Sequence, residues 1–168
     1  MVLTIYQKSV YLIIFNATMI SRSVGKSLKS NNSGKSLKDF KVSIFQELDV
    51  LTRKMDASQL TENDILSSIR NLAEKFNVSF GQAQKAINVI LKYHFYLTNN
   101  EDNKIKNILH CPIDSVVLKN LLGGSSPLTN IDEGLYIKIQ NSIKLRGETR
   151  IDYDIVWDNQ HLKDEGIL

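Results

Sequence analysis

The sequence predicts a mainly α fold, a single compact helical domain of about five helices with a flexible basic N-terminal arm. Three observations carry this expectation. Only 2 prolines and 8 glycines punctuate 168 residues, too few for a turn-dense β architecture. Beyond residue 38 the apolar side chains recur in steps of three and four, the period of a helix with one buried face. Thr61 with Asp64, and Ser79 with Gln82, have the spacing of capping boxes, in which each partner's side chain satisfies the other's backbone N–H. A 19.1 kDa chain with 42% hydrophobic residues fills one core and not two. The organisation read from it is an apolar segment over 1–20, a basic flexible linker over 21–38 and a helical domain over 39–168.

The first segment holds the most apolar run, Val10-Tyr-Leu-Ile-Ile-Phe15. Asn16 and Thr18 interrupt it well short of the ~18 apolar residues that span a bilayer, and Ser21-Arg-Ser-Val24 makes a poor cleavage site. It is therefore expected to pack on the domain as a strand or helix. The linker, rich in Ser, Lys, Asn and Gly, repeats Gly25-Lys-Ser-Leu-Lys29 as Gly34-Lys-Ser-Leu-Lys38. Such composition predicts a solvated arm that touches DNA phosphates. Gly-Lys-Ser does not make a nucleotide-binding loop here: that loop needs a glycine five residues before the Gly-Lys pair, where the chain has Ile20 and Lys29.

Helices follow. Phe40, Ile44, Leu48, Leu51 and Met55 form one stripe of a helix from about Asp39 to Met55. The next starts after Thr61 and buries Ile65, Ile69, Leu72 and Phe76. The third runs from Phe80 to about Leu97, with Ala83, Ile87, Ile90, Leu91 and His94 inward and Lys85, Asn88 and Lys92 on another face. A polar loop is expected over 98–107. Pro112 then holds the residue before it extended, Asp114 caps a helix over 115–122, and Gly123-Gly124 stops that helix. A fifth helix, about 131–145, buries Leu135, Ile139 and Ile143, and the tail from Arg150 to Trp157 alternates like a short strand or a final packed segment.

Composition narrows the function classes. With 21 Lys and Arg against 18 Asp and Glu, the net charge of +3 permits a polyanionic partner such as DNA. A lone cysteine, Cys111, excludes a disulfide framework and a Cys-rich zinc site; it is expected as a small buried side chain in a reducing, cytoplasmic setting. Three scattered histidines have no metal-ligand spacing, and neither a metal, a cofactor nor a membrane partner is implied.

Gly81-Gln-Ala-Gln-Lys85 at the mouth of a helix, followed by His110-Cys-Pro-Ile-Asp114 entering another, resembles the core of the helix-hairpin-helix DNA glycosylases. The 29-residue interval from Lys85 to Asp114, and the Gln84-Lys85 pair, are most similar to the archaeal 8-oxoguanine glycosylase branch. The likeness spans about Leu60 to Leu122; Val78-Ser-Phe-Gly-Gln-Ala83 departs from the family's Leu-Pro-Gly-x-Gly hairpin, and no four-cysteine cluster marks an iron–sulfur site. The resemblance implies Lys85 as nucleophile and Asp114 as its acidic partner, with Gly81, Gln82, Gln84, Asn88 and Lys92 towards DNA. The chemistry is base removal through a lysine imine, with strand cleavage by β-elimination. Tyr93, Tyr96 and Trp157 are candidates to stack on an extruded base. The alternative expectation is a non-catalytic helical module, of viral or mobile-element origin by its AT-rich residue usage, that binds DNA or a protein partner.

Overall fold

The computed structural model describes residues 3–18, 20–31, 34–98, 101–124, 126–147 and 149–167, and among them nine α-helices. These are α1 (Ile5–Ala17), α2 (Ile20–Ser30), α3 (Leu37–Asp56), α4 (Glu62–Phe76), α5 (Phe80–Leu97), α6 (Asn103–Ile108), α7 (Ser115–Leu122), α8 (Glu133–Leu145) and α9 (Ile155–Asp164). Short 3-10 turns cover Leu128–Asn130 and Arg150–Asp152, and no strand occurs among the described residues. The mainly α expectation holds, but the described residues form nine helices where about five were expected, since α1, α2, α6 and α9 arise in segments read as an apolar strand or helix, a linker, a loop and a tail. No helix among the described residues is long and apolar enough to cross a membrane.

Local chemistry sets where the helices begin. Thr4, Ser36, Thr61 and Ser79 close capping boxes with Gln7, Asp39, Asp64 and Gln82, which start α1, α3, α4 and α5. Asp102, Asp114 and Asp132 cap α6, α7 and α8 with a carboxylate oxygen. Asn77 ends α4 and Gly123 ends α7 in the left-handed conformation, so both chain reversals sit where a small or polar residue tolerates positive φ.

Helix α5 is the centre of the molecule. Fourteen of its 18 residues are buried, because α1, α2, α3, α4, α8 and the Leu128–Asn130 turn all pack on it. Its apolar residues meet the Phe15, Phe40 and Phe76 cluster of α1, α3 and α4, where the Phe40 and Phe76 rings stand edge to face at 5.0 Å. A helix covered on nearly every side must also bury polar residues, and each of these needs an internal partner. Gln82, Gln84, Asn88, Lys92 and His94 are the residues so placed.

Three expectations are corrected. The segment expected as a flexible arm is helical from Ile20 to Ser30, because Ile20, Val24 and Leu28 form a buried i, i+4, i+8 stripe that outweighs the weak helix propensity of its Ser and Gly residues. Residues 32–33 of that linker lie outside the described residues. The polar loop over 98–107 contains α6, capped by Asp102 and anchored by buried Ile105; residues 99–100 lie outside the described residues. Of the two readings of the tail the strand is set aside and the packed segment stands: it is a 3-10 turn and α9, with Arg150 drawn inside to Glu62 and to the carbonyls of Asn107 and Ile108.

Candidate active site

Lys85 and Asp114 are 29 residues apart in sequence and adjacent in space. Lys85 leaves the second turn of α5, and Asp114 is the cap residue of α7. Their Nζ and Oδ2 atoms are 3.5 Å apart, longer than the ~2.7–2.9 Å of a tight charge-assisted hydrogen bond. The two carboxylate oxygens divide the work: Oδ1 accepts from the backbone N–H groups of Val116 and Val117 at 2.9 and 3.0 Å, and Oδ2 faces the amine. Both residues line one cleft of about 210 Å³, together with Lys92, Tyr93, Pro112 and Asp154.

The neighbouring residue, Gln84, makes this pairing rigid. Its fully buried side-chain amide donates to the Ile113 carbonyl at 2.7 Å and accepts from the Ile113 N–H at 3.1 Å, closing both backbone groups of the residue before Asp114. Gln140 of α8 grips Cys111 in the same way, at 2.7 and 3.1 Å. The extended run through Pro112 therefore has its backbone partners from two glutamines, as a strand would from a sheet.

Beneath this run lies a polar chain. Asn88 Nδ2 donates to Tyr136 Oη at 2.8 Å, the Tyr136 hydroxyl lies 2.5 Å from His110 Nδ1, and His110 Nε2 lies 2.7 Å from Glu62, which also accepts from Arg150. The arrangement fits a neutral His110 that accepts from tyrosine and donates to the carboxylate. Burial pushes the imidazole below its ordinary range. The hydrogen bond from His110, with Arg150 added, lowers Glu62 to about 2. Both shifts are downward, so both contribute stability that is present above the unfolded-state values and is lost as pH falls.

We expect the unfolding free energy measured in urea to begin falling below pH ~6.5, at up to ~1.4 kcal/mol per pH unit from His110, with a further loss between ~4.5 and 2 from Glu62. His110→Gln should remove the upper part of this slope. A slope that persists in the variant would place the titration elsewhere.

The structure locates the remaining expected site residues differently. Gly81, Gln82, Gln84 and Asn88, expected towards DNA, are buried. The Gly81 N–H donates to the Ile131 carbonyl, Gln82 completes the α5 cap and bonds Ser23 and Ser27 of α2, and Asn88 joins Gln84 to Tyr136. They hold the fold around the cleft instead of reaching a ligand, and the reason is the position of α5 at the centre. Lys92 lines the cleft and forms an ion pair with Asp154 at 2.6 Å.

Asp154 was not legible as a cleft residue, because it comes from the far end of the chain. Cys111 is buried, as expected. Among the described residues no group of three or more His, Cys, Asp or Glu side chains could hold a metal ion.

A second, more apolar cleft of about 440 Å³ adjoins the first and shares Lys92 and Tyr93 with it. Tyr93 and Tyr96 line it with partly exposed rings, 42% and 38% accessible, and Ile155 and Leu162 of α9 form the facing wall. Trp157 packs edge-on against Tyr153, 5.5 Å between ring centres, and does not line either cleft. Comparison of the chain with protein-family models, with curated proteins and with solved structures gives no match.

Proposed function

We propose that this protein is a DNA-repair N-glycosylase with an associated lyase step, in which Lys85 attacks and Asp114 supports the attack. One observation carries the reading: a lysine amine and a carboxylate oxygen 3.5 Å apart at the wall of a shared cleft, the other carboxylate oxygen fixed by a helix cap. This is a nucleophile beside a group able to take its proton and offset positive charge. The adjoining tyrosine-lined cleft offers planar surfaces for a base turned out of the duplex. The single buried cysteine suits action in the reducing cytoplasm.

In the proposed reaction the neutral Lys85 amine attacks C1′ of the extruded nucleotide. The C1′–N bond breaks, and the base leaves with the electron pair and takes up the proton that Asp114 relays from the attacking amine. Asp114 Oδ2 takes the proton released by the amine and stabilises the positive charge at C1′ and O4′. Sugar-ring opening moves the remaining amine proton to O4′ and gives the imine, Asp114, again a carboxylate, takes a C2′ proton as the 3′ phosphate is expelled, and water then hydrolyses the imine to release lysine. The α7 cap engages Oδ1 and leaves Oδ2 facing Lys85.

The test is borohydride trapping on a duplex containing an abasic site. Wild type should give a covalent adduct, and Lys85→Gln should give none while melting like wild type, since glutamine is as good a helix former as lysine. Asp114→Asn retains an oxygen for the α7 cap, so it should cost little stability yet slow adduct formation by roughly a hundredfold. No adduct with wild type, or equal adduct with Lys85→Gln, would leave a non-catalytic helical module as the reading.

A further inference from the structure

The first 38 residues contain no Asp or Glu and six cations: Lys8, Arg22, Lys26, Lys29, Lys35 and Lys38. The rest of the chain holds 15 Lys and Arg against 18 Asp and Glu, so a mildly acidic body carries a strongly basic N-terminal end. Helix α2 concentrates that charge. Arg22, Lys26 and Lys29 stand at i, i+4 and i+7, a single exposed stripe on the side opposite the buried Ile20, Val24 and Leu28.

This stripe lines a concavity of about 660 Å³ whose other wall is the second repeat, Gly34 to Leu37. The two copies of Gly-Lys-Ser-Leu-Lys thus face one cavity, from α2 and from the start of α3. Among the described residues no carboxylate lines it, and Arg22, Lys26 and Lys29 take part in none of the salt bridges, whereas Lys54, Arg70 and Lys106 are each paired with an acid. Lys35 donates to the Lys75 carbonyl. The nearest acid in sequence, Asp39, is engaged by the N–H and hydroxyl of Ser36 in the α3 cap.

Three like charges on adjacent turns repel one another, and a ligand that neutralises them relieves the repulsion. They project at axial steps of ~6 and ~4.5 Å, along a concave surface that admits a chain of anions. We infer that this concavity binds consecutive phosphates of a nucleic-acid strand. It shares no lining residue with the Lys85–Asp114 cleft, and the inference does not depend on catalysis there. An anionic bilayer is the competing polyanion. A bilayer would take up exposed apolar side chains as well, and the most exposed of these near the N-terminus, Ile5, Tyr6 and Ile13, line no part of the concavity.

The test is fluorescence anisotropy with a labelled single-stranded oligonucleotide across a salt series. The variant Arg22→Gln/Lys26→Gln/Lys29→Gln is compared with Lys138→Gln/Lys144→Gln/Lys163→Gln, which removes the same charge from exposed positions of α8 and α9. The α2 variant should lower the slope of log affinity against log salt by about 2, at ~0.7 per phosphate, and weaken binding about tenfold or more at ~0.1 M salt. The control should stay within about threefold of wild type. The single changes Arg22→Gln and Lys26→Gln, each lowering the slope by ~0.7, give the same answer should the triple variant melt early.

Equal losses in both triple variants would overturn the site, leaving only net charge. So would absence of wild-type binding, or tighter, α2-dependent binding to phosphatidylserine vesicles than to the oligonucleotide. The adduct is read by borohydride trapping and this site by the α2-dependent salt slope, so loss of one and loss of the other are read separately.

Discussion

Gly81→Ala is expected to destabilise the protein by ~3 kcal/mol or more, lowering the melting temperature by roughly 10 °C. A Cβ at this position would lie 2.2 Å from the Leu128 carbonyl oxygen and 2.8 Å from Ile131 Cβ. Neither is the end of a flexible side chain. The Leu128 carbonyl is held by the Ser79 hydroxyl, and the Ile131 carbonyl by the Gly81 N–H itself, so relief requires the whole Leu128–Asn130 turn to move off α5. Gly25→Ala is the contrast: its Cβ meets only Leu37 Cδ2, at 4.0 Å, in the middle of α2, and alanine should stabilise there by ~0.5–1 kcal/mol. Melting curves of the two variants decide the matter. A Gly81→Ala protein that melts with wild type but loses DNA affinity would restore this glycine to the DNA-facing place that the resemblance implied.

The second large effect is expected from Gln84→Met. Methionine fits the space but leaves the Ile113 N–H and C=O buried without their partner, at ~1–3 kcal/mol for each group, or ~2–6 kcal/mol together. Gln140→Met orphans the same two groups of Cys111 and should cost about as much. The two variants should separate in chemistry. Gln84 fixes the residue adjoining Asp114, so its loss should slow trapping at a temperature where the variant is still folded, while Gln140→Met, two residues further back, should trap at nearly the wild-type rate. Equal trapping in both would show that the clamp supports the fold alone.

These two residues also show where sequence reasoning stopped. Helix starts were legible because a capping box is a local code: Thr61 with Asp64 and Ser79 with Gln82 were read directly, and the Asp114 cap was placed correctly before α7. The Lys85–Asp114 pairing was expected from a resemblance, and the two side chains do meet. Helix α2 was obscured by composition. Its Ser, Lys and Gly content reads as linker, although Ile20, Val24 and Leu28 carried the helical period.

Nothing local marks the roles of Gln84 and Gln140. A buried amide that closes a distant backbone segment looks, in one dimension, like any polar helix residue. Gly81 was assigned to a ligand for the same reason: a glycine needed for the close approach of a segment some fifty residues away has the same one-letter appearance as a glycine needed for a phosphate.

A lysine imine at Lys85 is tested by locating the trapped covalent adduct on the chain. Wild-type protein is reduced with borohydride on abasic duplex DNA, digested with nuclease and protease, and its peptides are sequenced by mass spectrometry. The sugar remnant is expected on Lys85 at more than about tenfold the level of any other amine, because this amine shares its cleft with the Asp114 carboxylate. An adduct spread over the exposed lysines of α2, concentrated on the N-terminal amine, or absent would contradict it.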